Sequence, residues 1–281
     1  MMSEDQPKKH SRGDTWFFAL TGQASVYPDY PASMLVADAD IDGIGARFIA
    51  VIPDANNRFE RARHGEVGLQ EGWHVARAVQ DVVTRDQSGT TKKPIIAIVD
   101  VTSQAYGRRE EAYGIHLALA AAAGAYASAR LAGHPVIALL VGKAMSGAFL
   151  AHGYQANRII AIDDPEVLVH AMGKASAARI TLRSVEALEV LAATIPPMAY
   201  DIKNFASLGL VSQSLMLGNP DRPDATDIHL VQQSVRDALK SIAQEASHDL
   251  TSRLGASNRS ASLTVRKMLQ EQWNREPAMA T

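Results

Sequence analysis

Apolar residues fall along this chain in two alternating patterns. Short continuous runs at 16–20 (WFFAL), 34–37, 46–52, 94–99 (PIIAIV), 136–141 (VIALLV), 159–162, 166–171 and 210–217 predict strands. The run at 94–99 lacks in–out alternation, as a strand covered on both faces does, and 136–141 is likewise an unbroken apolar run. Between them lie stretches of helical spacing. One runs over 66–85, where Leu69, Trp73, Val75, Ala76, Val79, Val82 and Val83 recur. Others are an alanine-rich segment at 111–132, short pieces at 148–152 and 198–207, and longer ones at 181–194, 227–246 and 262–273. The last of these carries charges of both signs and predicts a surface position.

Turn residues punctuate the pattern. DADIDGIG separates the second and third runs, Gly133-His134-Pro135 stops the alanine-rich segment, and Pro196-Pro197 stops 181–194. Over 94–162 the order is strand, polar loop, helix, strand, small-residue turn, short helix, strand. Such alternation implies parallel strands joined by right-handed crossovers. The organisation predicted is a disordered polar tail at 1–14, one α/β domain over 15–248, and a linker with a C-terminal helix over 249–281.

Composition narrows the functional classes. The 281 residues are 47% hydrophobic and 21% charged, with net charge −2. No basic block supports nucleic-acid binding. No apolar run approaches the roughly 18 residues of a membrane span. There is no cysteine, which removes disulfides, thiolate nucleophiles and cysteine metal sites. A cytoplasmic location is the expectation.

Two segments can carry chemistry. At 142–147, GKAMSG follows a strand and precedes a helix. It lacks the Gly-Lys-Ser/Thr of a P-loop and the G-x-G-x-x-G of a dinucleotide fingerprint. Two chemical readings remain. Gly147 and Ala148 can offer backbone N–H donors at a helix N-terminus, or Ser146 can be a nucleophile on a strand-to-helix elbow flanked by Ala144 and Ala148. The plain structural reading is that small residues let a helix pack close to a sheet. The second segment, 100–110, follows the neighbouring strand, so the two should meet beyond the carboxyl edge of a parallel sheet. It brings Ser103, Gln104, Tyr106 and Gly107. His116, His152 and His170 sit in or beside apolar stretches and read more simply as hydrogen-bonded structural residues. No spacing suggests a metal site.

The segments NRFERARHGEVGLQEGW, DVTSQAYGRREEAYGIHLALAAAA and GKAMSGAFLAHGYQANRIIAI resemble the carboxyltransferase branch of the crotonase-like superfamily. More narrowly, they resemble the gamma subunit of biotin-independent malonate decarboxylase, over roughly residues 15–215. The resemblance implies an α/β fold with a crotonase-like ββα spiral core and flanking helices, rather than a flat doubly wound sheet. It implies pairing with a homologous beta subunit, alongside an acyl-carrier protein subunit and an acyl-transferase alpha subunit. The pair would decarboxylate a malonyl thioester on the carrier to an acetyl thioester and CO2. The phosphoribosyl-dephospho-CoA arm would belong to the carrier, leaving no cofactor on this chain. The residues implied are Gly147 and Ala148 as oxyanion donors, Ser146 and Gln104 as polar neighbours of the carboxylate, and Met145 as a wall. Ser103, Tyr106 and Gly107 would complete the substrate side. Ser103-Gln104 stands where Pro-Gly is common in biotin-dependent relatives, and Ser146-Gly147 where Gly-Gly is common; both departures fit a biotin-free enzyme. The alternatives are a serine hydrolase of related fold with Ser146 as nucleophile, and a scaffold that only completes its partner's site.

Overall fold

A computed structural model describes residues 11–275. Helix α1 (Arg12–Thr21) opens it, followed by the hairpin β1 (Met34–Ile41) and β2 (Ile44–Val51), then α2 (Leu69–Arg85) and β3 (Ile95–Val101). Next come α3 (Arg108–Ala112), α4 (Ile115–Leu131), β4 (Val136–Met145), α5 (Ser146–Ala151), β5 (Arg158–Ile162) and β6 (Val169–His170). The remainder is α6 (Lys174–Ile180), α7 (Val185–Ala192), α8 (Ile202–Ser207), β7 (Gln213–Leu215), α9 (Ala225–Ala243) and α10 (Ser260–Arg275).

The main sheet has the order β1-β2-β3-β4-β5-β7, antiparallel only between β1 and β2. A second, shorter ladder runs beyond its carboxyl edge. Val67 bridges Gln104, and Ala144 and Met145 pair with Val169 and His170. Each turn of chain therefore supplies a long strand, a short extended piece and a helix: β2, Val67 and α2; β3, Gln104 and α4; the two halves of β4 and α5; β5, β6 and α6. This is the ββα spiral expected, and it excludes the flat doubly wound sheet. Ile95–Val99 of β3 and the first half of β4 are buried on both faces, as their unbroken apolar runs require.

Several boundaries differ from the sequence pattern. The 16–20 run is helical, not a strand. Ser11 Oγ accepts the Asp14 N–H at 3.1 Å as an N-cap, and Trp16, Phe17 and Leu20 are buried while Phe18 is 45% exposed, a helical face. Helix α1 thus begins within the tail expected at 1–14; residues 1–10 of that tail lie outside the described residues. The turn expected in DADIDGIG narrows to two residues of a hairpin, Asp42 and Gly43 at φ 50° and 88° between paired Ile41 and Ile44, the Asp-Gly primed-turn signature. The alanine-rich helix is divided at Gly114, which is left-handed at φ 78°. The 181–194 helix shortens to α7, and a separate helix not expected there, α6, precedes it, the two parted at Leu182 (φ 54°). The strands at 166–171 and 210–217 contract to two and three residues, while Val167, Val169 and Leu215 still join the main core. The 249–258 linker is pinned rather than loose. Arg253 is buried and donates to the carbonyls of Tyr154 (2.7 Å) and Ala156. Every residue of α10 is exposed, as its charge pattern predicts.

The junction at the end of β4 matters most for the site. β3 advances from Val99 to Val101 while β4 advances from Leu140 to Ala144, so β4 bulges. Asp100 fastens that bulge. Its Oδ1 accepts the Lys143 N–H at 3.0 Å and its Oδ2 the Gly13 N–H at 3.2 Å. A Cβ on Gly142 would lie 2.1 Å from Asp100 Oδ1, so only glycine fits there.

Behind the junction, His152 is fully buried. The Ile98 carbonyl, 3.0 Å from Nε2, can only accept, so Nε2 carries the proton and Nδ1 accepts the Tyr126 hydroxyl at 3.0 Å. His152 is the hydrogen-bonded core residue expected, tying α5 to β3 and α4. Burial pulls its pKa down to about 4 from 6.5, against a smaller upward pull from the Ile98 bond.

Two predictions follow from these contacts. Gly142→Ala should destabilise the fold by about 3 kcal/mol through the clash with Asp100, whereas Gly124→Ala, where nothing lies within 4 Å in mid-helix, should stabilise by about 0.5–1 kcal/mol; urea midpoints of the two variants check the contrast. Because folding depresses the His152 pKa, the neutral ring's contribution is complete above pH 6.5 and is lost as the pH falls from 6.5 toward about 4. Denaturation across that window should show a decline on the order of 3 kcal/mol that His152→Gln flattens. Asp38 titrates lower: burial opposes, but Arg47 and Lys93 outweigh it and hold the carboxyl at about 2.

Candidate functional site

The strand that was expected to end at Gly142 continues through the bulge to Met145, and α5 starts directly at Ser146. The tight turn expected at 143–147 is therefore a strand-to-helix junction with no loop in it. Ser146 makes the turn in a left-handed conformation, φ 59°, which costs a serine on the order of 1 kcal/mol. This backbone has an elbow's sharpness.

The two predicted segments meet. Gly147 N–H donates to Gln104 Oε1 at 2.9 Å. Gln104 is held in turn, since its own backbone lies on the short ladder beside Val67 and its carbonyl accepts the Ser103 hydroxyl at 2.6 Å. Ala148 is buried, and as the third residue of α5 its amide has no partner within the helix.

Ser146 stands between two hollows. One is a cleft of about 480 Å³ lined by Ser103, Gln104, Tyr106, Met145 and Ser146 on one side. Met172, Ser176, Arg179 and Ile180 line the other. The second is an apolar cavity of about 330 Å³ that Ser146 and Gly147 share with Phe149, Tyr154, His170, Pro197 and Phe205. Of the predicted residues, Ser103, Gln104, Tyr106, Met145 and Ser146 thus converge, and Gly147 borders them. Gly107 does not: it lines neither hollow, and a Cβ there would lie 2.6 Å from Glu110 Oε2, so its smallness serves the start of α3.

The opposite wall was not predicted. Ser176 and Arg179 come from α6, which sequence reading passed over because only Ala177 and Ala178 of its seven residues are buried. Its apolar signal is two small methyl groups, and the spacing Ser-x-x-Arg on one helical face was the only available cue. Arg179 is the one charged side chain lining this cleft, and among the described residues its guanidinium has no hydrogen-bond or ion-pair partner.

His170 lines the apolar cavity in register with Met145. Its ring stacks on Tyr200, centroids 3.9 Å apart, and its Nδ1 engages the Met172 backbone. Burial lowers its pKa, the Met172 bond opposing. No hydrogen bond joins Ser146 to any histidine among the described residues, so the elbow has no general base in contact. His116 is exposed on α4, away from both hollows. Among the described residues no three His, Asp or Glu side chains gather as a metal site, and no helix is long and apolar enough to cross a membrane.

A family model described as the malonate decarboxylase gamma subunit matches residues 62–273. A chain in the crystal structure of a Pseudomonas malonate decarboxylase hetero-tetramer in complex with coenzyme A is 60% identical, with 94% of this chain and 100% of that one covered at a TM-score of 0.90. A chain of the Pseudomonas malonate decarboxylase MdcD-MdcE hetero-dimer is 56% identical, with 94% and 99% covered at 0.87. The malonyl-S-ACP:biotin-protein carboxyltransferase MADD of Malonomonas rubra is 40% identical over 161 residues, 56% of this chain and 55% of the relative. The chain therefore spans about half the length of that curated relative. Nothing among these likenesses points to a serine hydrolase. With a family match over residues 62–273, most of its length, this chain belongs to the malonate decarboxylase gamma subunit family.

Proposed function

We propose that this chain pairs with a homologous beta subunit and, within that pair, decarboxylates a malonyl thioester carried on an acyl-carrier protein. Loss of CO2 leaves an enolate, and a proton then gives the acetyl thioester. The amides of Gly147 and Ala148 receive the oxygen that gains charge. Ser146 and Gln104 flank the departing carboxylate, Met145 forms a wall, and Ser103 and Tyr106 line the approach. The phosphoribosyl-dephospho-CoA arm is the carrier's, an acyl-transferase alpha subunit reloads it, and the assembly works in the cytoplasm. Gly107 keeps only its structural part.

One observation carries the reading. The Gly147 amide, at the head of a helix and on the rim of a cleft, is bonded at 2.9 Å to a carbonyl-type oxygen, that of the Gln104 carboxamide. A thioester or enolate oxygen is an acceptor of the same kind, and exchange for Gln104 needs only a side-chain movement. Backbone donors do not titrate, so the chemistry requires no perturbed acid or base at this point. The solved relatives, a malonate decarboxylase hetero-tetramer in complex with coenzyme A and an MdcD-MdcE hetero-dimer, agree in substrate class and in pairing.

Co-expression with the beta partner and addition of malonyl-carrier protein should release CO2. In that pair Gly147→Val, which crowds Gln104 and bars the oxygen, should lower kcat about a hundredfold with assembly intact. Ser146→Gly, which removes the hydroxyl and the left-handed strain together, should keep turnover within about tenfold, as the loss of one neutral hydrogen bond allows. A well-folded pair that releases no CO2 would overturn the reading. A Gly147→Val pair of undiminished kcat would move the oxyanion site to the partner and leave this chain a scaffold.

A further inference from the structure

We infer that Arg179, with Ser176 one turn before it, is the anchor for the substrate's free carboxylate, and so the residue that separates malonyl from acetyl thioesters. The inference rests on the function proposed above and names the group that holds its anionic end. The cleft beneath the β4–α5 junction is lined by hydroxyls, an amide and apolar groups, and by a single charge, the Arg179 guanidinium. No carboxylate of this chain lines the cleft to neutralise it. The neighbouring hollow of about 390 Å³ shares Ser103, Gln104 and Tyr106 but is lined by Glu60 and Glu66 as well as Arg61, so an anion is directed to the Arg179 side.

Position and chemistry agree. Buried Ala177 and Ala178 fix α6 against the core. Ser176 and Arg179 are three residues apart and both line the cleft, the spacing that places two side chains on one helical face. Ser146 and Gln104 stand on the opposite wall beside Gly147. A substrate whose thioester oxygen reaches the Gly147 amide and whose other end enters this cleft meets Arg179 as its one charge. A guanidinium matches a carboxylate with two parallel hydrogen bonds, which an ammonium does not. After the C–C bond breaks, the carboxylate carbon leaves as neutral CO2 and its electron pair stays on the enolate. The acetyl product then has nothing for Arg179 to hold, which favours its release.

A phosphate of the carrier arm is the competing anion, and the test separates the two. Steady-state decarboxylation is measured in the assembled pair with malonyl-carrier protein and with malonyl-N-acetylcysteamine, which has no phosphate. Wild-type turnover of malonyl-carrier protein confirms the underlying function; its absence removes that function and this inference together. With wild type active, Arg179→Gln should raise KM about tenfold for both substrates with kcat within about threefold. Arg179→Lys should fall between, and inhibition by the acetyl thioester should not change. An unchanged KM overturns the inference. So does a defect confined to the carrier-bound substrate, which assigns Arg179 to a phosphate, or failure of both variants to co-elute with the partner, which makes it an interface residue.

Discussion

The structure turns on one carboxylate. Asp100 lies where β3 leaves the main sheet, and it accepts amides from Gly13 at the head of α1 and from Lys143 in the β4 bulge. Without those bonds the Lys143 amide of the bulge and the Gly13 amide at the head of α1 would lose their protein partner. With them, β4 keeps β3 on one side, through Leu140 and again at Ala144, and changes partner on the other, from β5 through Leu140 to β6 at Ala144 and Met145. The change of ladder lets α5 begin without a loop, with its first amides above the cleft. Gly142 follows from the same arrangement, since the carboxylate occupies the space a side chain would need.

Much of the fold was legible in the chain because burial on both faces writes a strong signature. The runs PIIAIV and VIALLV became β3 and β4, and the helical spacing from Leu69 became α2. The errors share a physical cause. At 16–20 a run of apolar residues is equally a strand or the inner face of a short helix, and only the cap at Ser11 decides it. At 142–147 small residues suggested a turn, but their smallness answers to Asp100 and to the sharp Ser146 backbone. Tertiary contact, not local preference, sets both ends of that segment.

The site was half legible. Motif residues on the β3 and β4 side, Ser103, Gln104, Tyr106, Met145 and Ser146, line one cleft, because adjacent parallel strands must deliver their following loops to the same edge. The α6 side carries no comparable pattern. A seven-residue helix held by two alanines has little periodicity to detect, and Arg179 looks like any surface cation until the fold places it opposite Ser146. Gly107, expected on the substrate side, lines neither hollow, and its lack of a side chain leaves room for Glu110 and Arg61.

The bond from Gly147 to Gln104 also shapes the energetics of turnover. The amide is never idle: with the cleft empty it already has a partner of moderate strength. A thioester carbonyl is a poorer acceptor than a carboxamide, and an enolate a far better one. On the proposed reading, the ground-state substrate does not win the exchange, and the donor transfers its allegiance only as negative charge builds on the substrate oxygen. Gln104 thus acts as a reference competitor that withholds stabilisation from bound substrate and releases it to the transition state, the asymmetry that raises kcat rather than merely tightening binding.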